Sequence, residues 1–239
     1  VHARIAWALA VLLPAAVAAG VHVLLARQLG AGVALVWDAL LIYGCIGWRS
    51  FNQHFMAIRN ALAEGDEPLA RQLLGHWQGV ETARVPATEI ARHAIEYAVL
   101  SAHRHVFGVI AWCCATAMLG LGPAGAVLYR NAELAMRYFR LRHEQLALGD
   151  RSHLASLAEH AWQVVDWVPA RMTALSFAMV GNFVEAVGCW RTHAETAPMD
   201  SDGLVLAAMA GAANLRLGGA ALVRQLPTPG EPSFSDTRN

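Results

Sequence analysis

Two residues that could do chemistry, Asp166 and Arg171, lie with Pro169 inside an apolar run, HAWQVVDWVPARMTALSFAMVGN, at residues 160–182. A carboxylate and a guanidinium at that depth cost roughly 2.5–3.5 kcal/mol each on insertion scales, so both need partners or water. Arg171 could grip an anionic ligand while Asp166 holds it in place. The alternative is structural: Arg171 snorkels to a surface and Asp166 caps the segment near Pro169. Five residues apart, the two share a helix face poorly. A second candidate is His103-Arg104-His105. Such a cluster can bind metal, titrate near neutral pH or meet a phosphate; it can equally form a polar collar at a membrane surface. At about 100° per residue, His103 and His105 point some 200° apart on a regular helix, so a joint metal site needs irregular backbone there. The third is Glu133, with Arg130 three residues before it and Arg137 four after. That spacing makes a helix-face ion pair or a ligand-holding group. Cys45, Cys113, Cys114 and Cys189 sit in apolar surroundings without a CxxC pair, and read as small buried hydrophobes. No metal site is expected.

The elements that must position these residues are helical. Apolar residues make up 56% of the 239 and charged ones 15%, against about 25% charged in a soluble domain. Formal net charge is zero, so no global field draws nucleic acid. Residues 5–26 form a near-unbroken apolar run of 22, enough to cross a hydrocarbon core about 30 Å thick. A second run follows at 33–48. Residues 49–105 differ: Phe51, Phe55, Ile58 and Leu62 recur at helical spacing, Gly65-Asp66 breaks that helix, and Ala70, Leu73, Leu74 and Trp77 make the face of another. A loop at 79–86 and a third helix at 88–102 complete an insert. Its arginines place it in the cytoplasm by the positive-inside rule.

A second basic cluster after residue 128 implies that the intervening apolar stretch turns back on itself. Its first arm, 106–119, is 14 residues or about 21 Å, and the break falls at Gly120-Leu121-Gly122-Pro123. A helix at 133–160, interrupted near Gly149-Asp150, leads into the opening stretch, which runs to about Trp190. A last apolar helix spans 203–223, interrupted by Asn214 and Arg216. The chain therefore reads as all-α: a polytopic helical membrane protein with a re-entrant helical hairpin and a cytoplasmic helical insert. Its expected regions are two N-terminal membrane helices (1–48), the insert (49–105), the hairpin with the C-terminal membrane helices (106–225) and a disordered tail (226–239). Expected partners are the lipid bilayer and a membrane protein or second copy. The chain begins at Val1 rather than Met, so a preceding segment is expected.

Four motifs in order resemble the CobD/CbiB family of membrane-bound adenosylcobinamide-phosphate synthases. They are Glu89-Ile90-Ala91-Arg92 with Ala94-Ile95-Glu96; Gly122-Pro123-Ala124-Gly125-Ala126 with Tyr129-Arg130; Asp166-Trp167-Val168-Pro169-Ala170-Arg171-Met172-Thr173; and Ala207-Ala208-Met209-Ala210-Gly211-Ala212 with Leu217-Gly218-Gly219. The D-W-V-P-x-R form is shared with the related AmpE branch of inner-membrane proteins. The resemblance implies a multi-pass protein of a bacterial inner membrane. It also implies nucleotide-driven joining of a corrinoid acid to an aminopropanol phosphate, with ATP and Mg as cofactors only if that chemistry is retained.

This sequence departs from the pattern at its acids. Where the synthases carry E-N-T-x-D-G it reads Leu100-Ser101-Ala102-His103-Arg104-His105. Where they carry N-T-x-D after the Y-R pair, Glu133 and Met136 stand at the asparagine and aspartate positions, and Ser201 replaces an asparagine. Carboxylates that would hold magnesium and phosphates are thus missing. The expectation is a divergent member without synthase chemistry, acting as sensor, transducer or accessory. The alternatives are a working synthase and a structural subunit of a larger complex. The residues expected to bind a ligand are Asp166, Arg171, Glu133, Arg130, His103 and His105.

Overall fold

A computed structural model describes residues 2–46, 48–78, 82, 86–145, 153–215 and 217. Every regular element among them is helical, in the order α1 (His2–Gln28), α2 (Ala31–Cys45), α3 (Trp48–Ala63), α4 (Glu67–Gln78), α5 (Ala87–Ala102), a π-helical turn (His103–Phe107), α6 (Gly108–Met118), α7 (Ala124–Gln145), α8 (His153–Val180), α9 (Phe183–Thr196) and α10 (Ser201–Ala213). The expected tail, the break near Gly149-Asp150, most of the 79–86 loop and the Gly218-Gly219 motif lie outside the described residues.

Two helical stretches are long and apolar enough to cross a membrane: Trp7–Gln28 and Glu89–Met118. Only 17% and 22% of their most apolar windows are buried inside the protein. A soluble core helix would be mostly buried. Here Leu9, Leu13, Val17 and Leu24 on α1, and Leu35, Val36 and Leu40 on α2, face outward. That pattern points to association with lipid.

The second stretch revises the sequence expectation. Instead of a separate insert helix and a 14-residue arm, α5 runs through the π turn into α6 without a break. The helical arm before the hairpin is therefore much longer than 106–119. The chain then reverses at Gly120 (φ 73°) and Gly122 (φ 57°), left-handed positions that favour glycine. Thr116 clamps the reversal: its hydroxyl donates to the Gly122 carbonyl (2.8 Å) and accepts from the Gly125 amide (3.0 Å). The imidazole of His22 covers the turn, so close that a Cβ on Gly122 would fall 2.4 Å from the ring. His22 also pairs with Asp38 of α2 at 2.8 Å. The lone acid of the second apolar run is thus partnered.

Apolar packing forms separate clusters. The largest joins α1, α2, α6, α7 and α8 around Val11, Cys45, Val109, Tyr129 and Trp162. Ile58, Ala61, Ala70, Leu74, Ile90 and Ala94 hold α3, α4 and α5 together, on the faces their spacing predicts. Asp66 caps α4 by accepting from the Leu69 amide at 3.0 Å. Val99, Ala170 and Val205 join α5, α8 and α10.

One expected boundary moves and one falls at an expected interruption. The stretch read as continuous to Trp190 breaks at Gly181-Asn182, where Asn182 caps α9 by accepting from the Glu185 amide. A Cβ on Gly181 would fall 2.4 Å from the Ala212 carbonyl, so close approach of α10 sets the break. α10 closes at Ala213, where Asn214, expected as an interruption, takes the left-handed conformation (φ 53°) that terminates helices; residues 216 and 218–223 lie outside the described residues.

Candidate functional site: a buried polar network beside an open cavity

Asp166 and Thr173 are seven residues apart on α8, two helical turns, and so lie on one face. Both are buried, at 0% and 1% exposed, and His103 of the π turn sits between them, also at 0%. Its Nε2 lies 3.0 and 3.3 Å from the two Asp166 oxygens, and its Nδ1 lies 2.9 Å from the Thr173 hydroxyl. Tyr129 of α7 donates its phenol to Asp166 at 2.7 Å. An ionised Asp166 only accepts, so His103 donates from Nε2 and accepts the Thr173 proton at Nδ1. Every polar side-chain atom of His103 and Thr173 then has a partner. The network spans α5–α6, α7 and α8.

Two local features let it form. A Cβ on Gly108 would fall 2.2 Å from the Tyr129 ring, so α6 must carry glycine there for α7 to bring the phenol in. Pro169 has no amide hydrogen, which frees the Val165 carbonyl four residues before it. The Trp112 indole donates to that carbonyl at 3.0 Å. A proline beside a buried carboxylate is thereby accommodated without an orphaned backbone acceptor.

Glu133 is likewise 0% exposed. The Arg130 and Arg137 guanidiniums, from the turns before and after, contact its two carboxylate oxygens. This is the helix-face ion pairing that the spacing allows, with the carboxylate turned inward.

Arg171 goes elsewhere. Its guanidinium stacks over the Trp167 ring at 3.7 Å and donates to the carbonyls of Trp167 (3.0 Å) and Pro198 (3.2 Å). It pins α8 to the turn between α9 and α10. His105 sits on the far side of the π turn, its Nδ1 donating to the Ser101 carbonyl at 3.0 Å. The irregular backbone that a joint histidine site would need is present, yet the two rings diverge. Of the six residues singled out from sequence, His103 and Asp166 touch, Arg130 and Glu133 touch, and Arg171 and His105 stand apart.

None of the six lines the cavity that lies alongside. That cavity, about 420 Å³, opens between α7, α8 and the α9–α10 turn, with Arg104, Met136, Trp162, Gln163, Ser201 and Asp202 in its wall. Arg104 links it to the network. One residue after His103, it reaches the other way and contacts the Asp202 carboxylate. Arg104 Nε, Ser201 Oγ and Asp202 Oδ1 are buried without a hydrogen-bond partner. Sequence reading named Arg104 only within the His103-Arg104-His105 cluster and did not single out Ser201 or Asp202 as sites. The one available signal was the replacement of an expected asparagine by Ser201.

The family model for CobD/CbiB proteins matches residues 1–236. The chain belongs to the CobD/CbiB family. It is 34% identical over 187 residues to a Chromobacterium violaceum protein named cobalamin biosynthesis protein CobD, covering 78% of this chain and 57% of the relative. A protein of the same name from Stutzerimonas stutzeri is 29% identical over 221 residues, covering 92% of this chain and 68% of the relative. One from Rhodobacter capsulatus is 26% identical over 189 residues, covering 77% and 57%. The chain thus spans from just over half to about two thirds of the length of these relatives. No solved structure matches it.

Family resemblance implies nucleotide and magnesium, and a hard cation needs several free oxygen donors. Asp166 is bound by His103 and Tyr129, Glu133 by two arginines, and Asp200 by the Gly203 amide and His193 (3.0 and 3.1 Å). Among the described residues no three of His, Cys, Asp or Glu converge as a metal site. These donors do not form a magnesium cage.

Proposed function

We propose that the chain works in cobalamin biosynthesis as a multi-pass protein of a bacterial inner membrane. It serves the step that joins an aminopropanol phosphate to a corrinoid acid to give adenosylcobinamide phosphate. The observation that carries this reading is the family match across residues 1–236, together with the name cobalamin biosynthesis protein CobD on its relatives. The cavity beside Arg104, Ser201 and Asp202 supports it as the place where the smaller, charged substrate binds. At about 420 Å³ it falls within the range usual for small-molecule sites. The bilayer is the partner of the outward apolar faces of α1 and α2. The α6–α7 hairpin is re-entrant, its tip covered by His22. A membrane protein or a second copy of the chain supplies any further partner.

One observation favours a second reading. His103 stands in the segment where the resemblance places synthase acids, and Asp166, Glu133 and Asp200 are already partnered. A member that keeps the pocket and has lost turnover, acting as sensor, transducer or accessory, fits that chemistry. One assay decides between them. The purified chain in detergent is given corrinoid acid, aminopropanol phosphate, ATP and magnesium. Formation of the amide product with consumption of ATP supports the synthase reading. Binding of substrate without product supports the second. Binding of neither overturns both.

A further inference from the structure

The helix α7 packs against α1, α2, α6 and α8, yet Leu134 and Tyr138 stay exposed on it. At about 100° per residue, Arg130 and Arg137 project beside them, and the four side chains share an arc of roughly 100°. The acid of this helix is hidden from that arc. Glu133 is fully buried, and Arg130 and Arg137 each contact one of its carboxylate oxygens. Two guanidiniums on one carboxylate leave one positive charge over. Each guanidinium has five N–H donors in a rigid fork, more than half a shared carboxylate can take up. Both arginine side chains also keep accessible surface, 23% and 40%. Glu133 thus acts as an internal clip that draws arginines of successive turns together and presents their surplus charge outward.

The neighbouring helix shows what solvates this arc. Trp7 and Val11 of α1 share a core cluster with Ala132, Ala135 and Met136 of α7. That contact sets the exposed, apolar Ile5 and Leu9 of α1 at the height of Leu134 and Tyr138. The arc therefore continues the outward apolar face of α1. Its occupant has to be apolar along most of its length and anionic at one end, which is the form of a phospholipid. Arginine meets a phosphate as a planar fork. The charge count then selects the headgroup. Phosphatidylcholine and phosphatidylethanolamine carry no net charge, and their ammonium groups would face the guanidiniums. A monoanionic phosphodiester balances the surplus.

We infer that the outer face of α7 is a docking site for a monoanionic phospholipid. Arg130 and Arg137 hold its phosphodiester, and Leu134 and Tyr138 pack on its acyl chain. This rests on the membrane part of the proposed function and not on its cobalamin chemistry.

The full chain is placed in nanodiscs of phosphatidylcholine alone, or of phosphatidylcholine mixed with phosphatidylglycerol or with phosphatidylethanolamine. The unfolding temperature and the lipids retained in native mass spectrometry are read. Phosphatidylglycerol should raise the unfolding temperature above the other two mixtures and be retained at least fivefold over phosphatidylcholine, less so as salt is added. Arg137→Gln should lower that retention about fivefold, the effect of one arginine at an anionic headgroup. Leu134→Glu, outside the ion pair, sets a like charge on the arc and should remove the preference. It carries the test should Arg137→Gln, which leaves buried Glu133 with one partner, fail to fold. Equal retention of the three lipids by the wild type, the result expected if an acidic protein covers α7 instead, would overturn the inference. A Leu134→Glu chain that still prefers phosphatidylglycerol would do the same. A chain that stays dissolved without detergent and enters no bilayer would overturn the membrane reading along with it. Failure of the cobalamin reading looks different: phosphatidylglycerol is still preferred, but no corrinoid is consumed.

Discussion

Two polar regions lie one residue apart along the π turn and differ in one respect. The network around His103 is saturated: Asp166 and Thr173 meet both nitrogens of its imidazole, and Tyr129 donates to Asp166. The wall around Arg104 is not, since Arg104, Ser201 and Asp202 each keep a buried atom without a partner. Polar groups that satisfy one another fix helices in place, and the free energy is spent within the fold. Groups left wanting carry a desolvation cost that nothing within the fold offsets. Within this molecule the motif carrying the strongest family resemblance, Asp166 to Thr173, belongs to the first kind, and the less conspicuous Ser201-Asp202 pair to the second.

The largest effect is expected from opening the saturated side. Asp166→Ala strands the Tyr129 hydroxyl and the His103 N–H in a dry interior. It should cost roughly 2–6 kcal/mol, about 1–3 for each buried donor left unsatisfied, read as a large fall in unfolding temperature in detergent. Trp112→Phe keeps the ring and removes the indole N–H from the Val165 carbonyl, which Pro169 cannot serve. That loss should amount to roughly 1–3 kcal/mol. A variant as stable as the wild type would show that the carbonyl finds another donor, and the account of Pro169 would fail. Arg171→Ala should cost less than about 1 kcal/mol, because its partners are half-solvated carbonyls and an exposed ring. A loss of several kcal/mol there would move Arg171 into the structural core of the motif.

These contrasts also mark what sequence could reveal. Apolar run lengths and spacing placed most helices, because burial of a face at 3.6-residue period is written in residue types. The faces of α3 and α4, and the break at Gly65-Asp66, came out that way. The joined rod of α5, π turn and α6 did not. A π turn adds one residue to a helix without changing composition, so polar His103-Arg104-His105 looked like an interruption. The break at Gly181 escaped for another reason: it is set by the approach of α10, a contact between segments distant in sequence. At the site, residue types identified Asp166 and His103 as unusual but could not say which atoms would find partners. Saturation depends on directions in space. Thr173 was legible in principle, two turns from Asp166, whereas the orphan atoms of Arg104, Ser201 and Asp202 were not.

One paired measurement tests the central contrast most directly. Thr173→Val and Ser201→Ala each delete a single buried hydroxyl, one from each region, and each is unfolded thermally with and without aminopropanol phosphate, the small substrate of the proposed function. Thr173→Val should lower the baseline unfolding temperature and retain the ligand-induced rise; Ser201→Ala should leave the baseline nearly unchanged and lose most of that rise. The reverse pattern, with Ser201→Ala unfolding early and Thr173→Val blind to the ligand, would contradict the account.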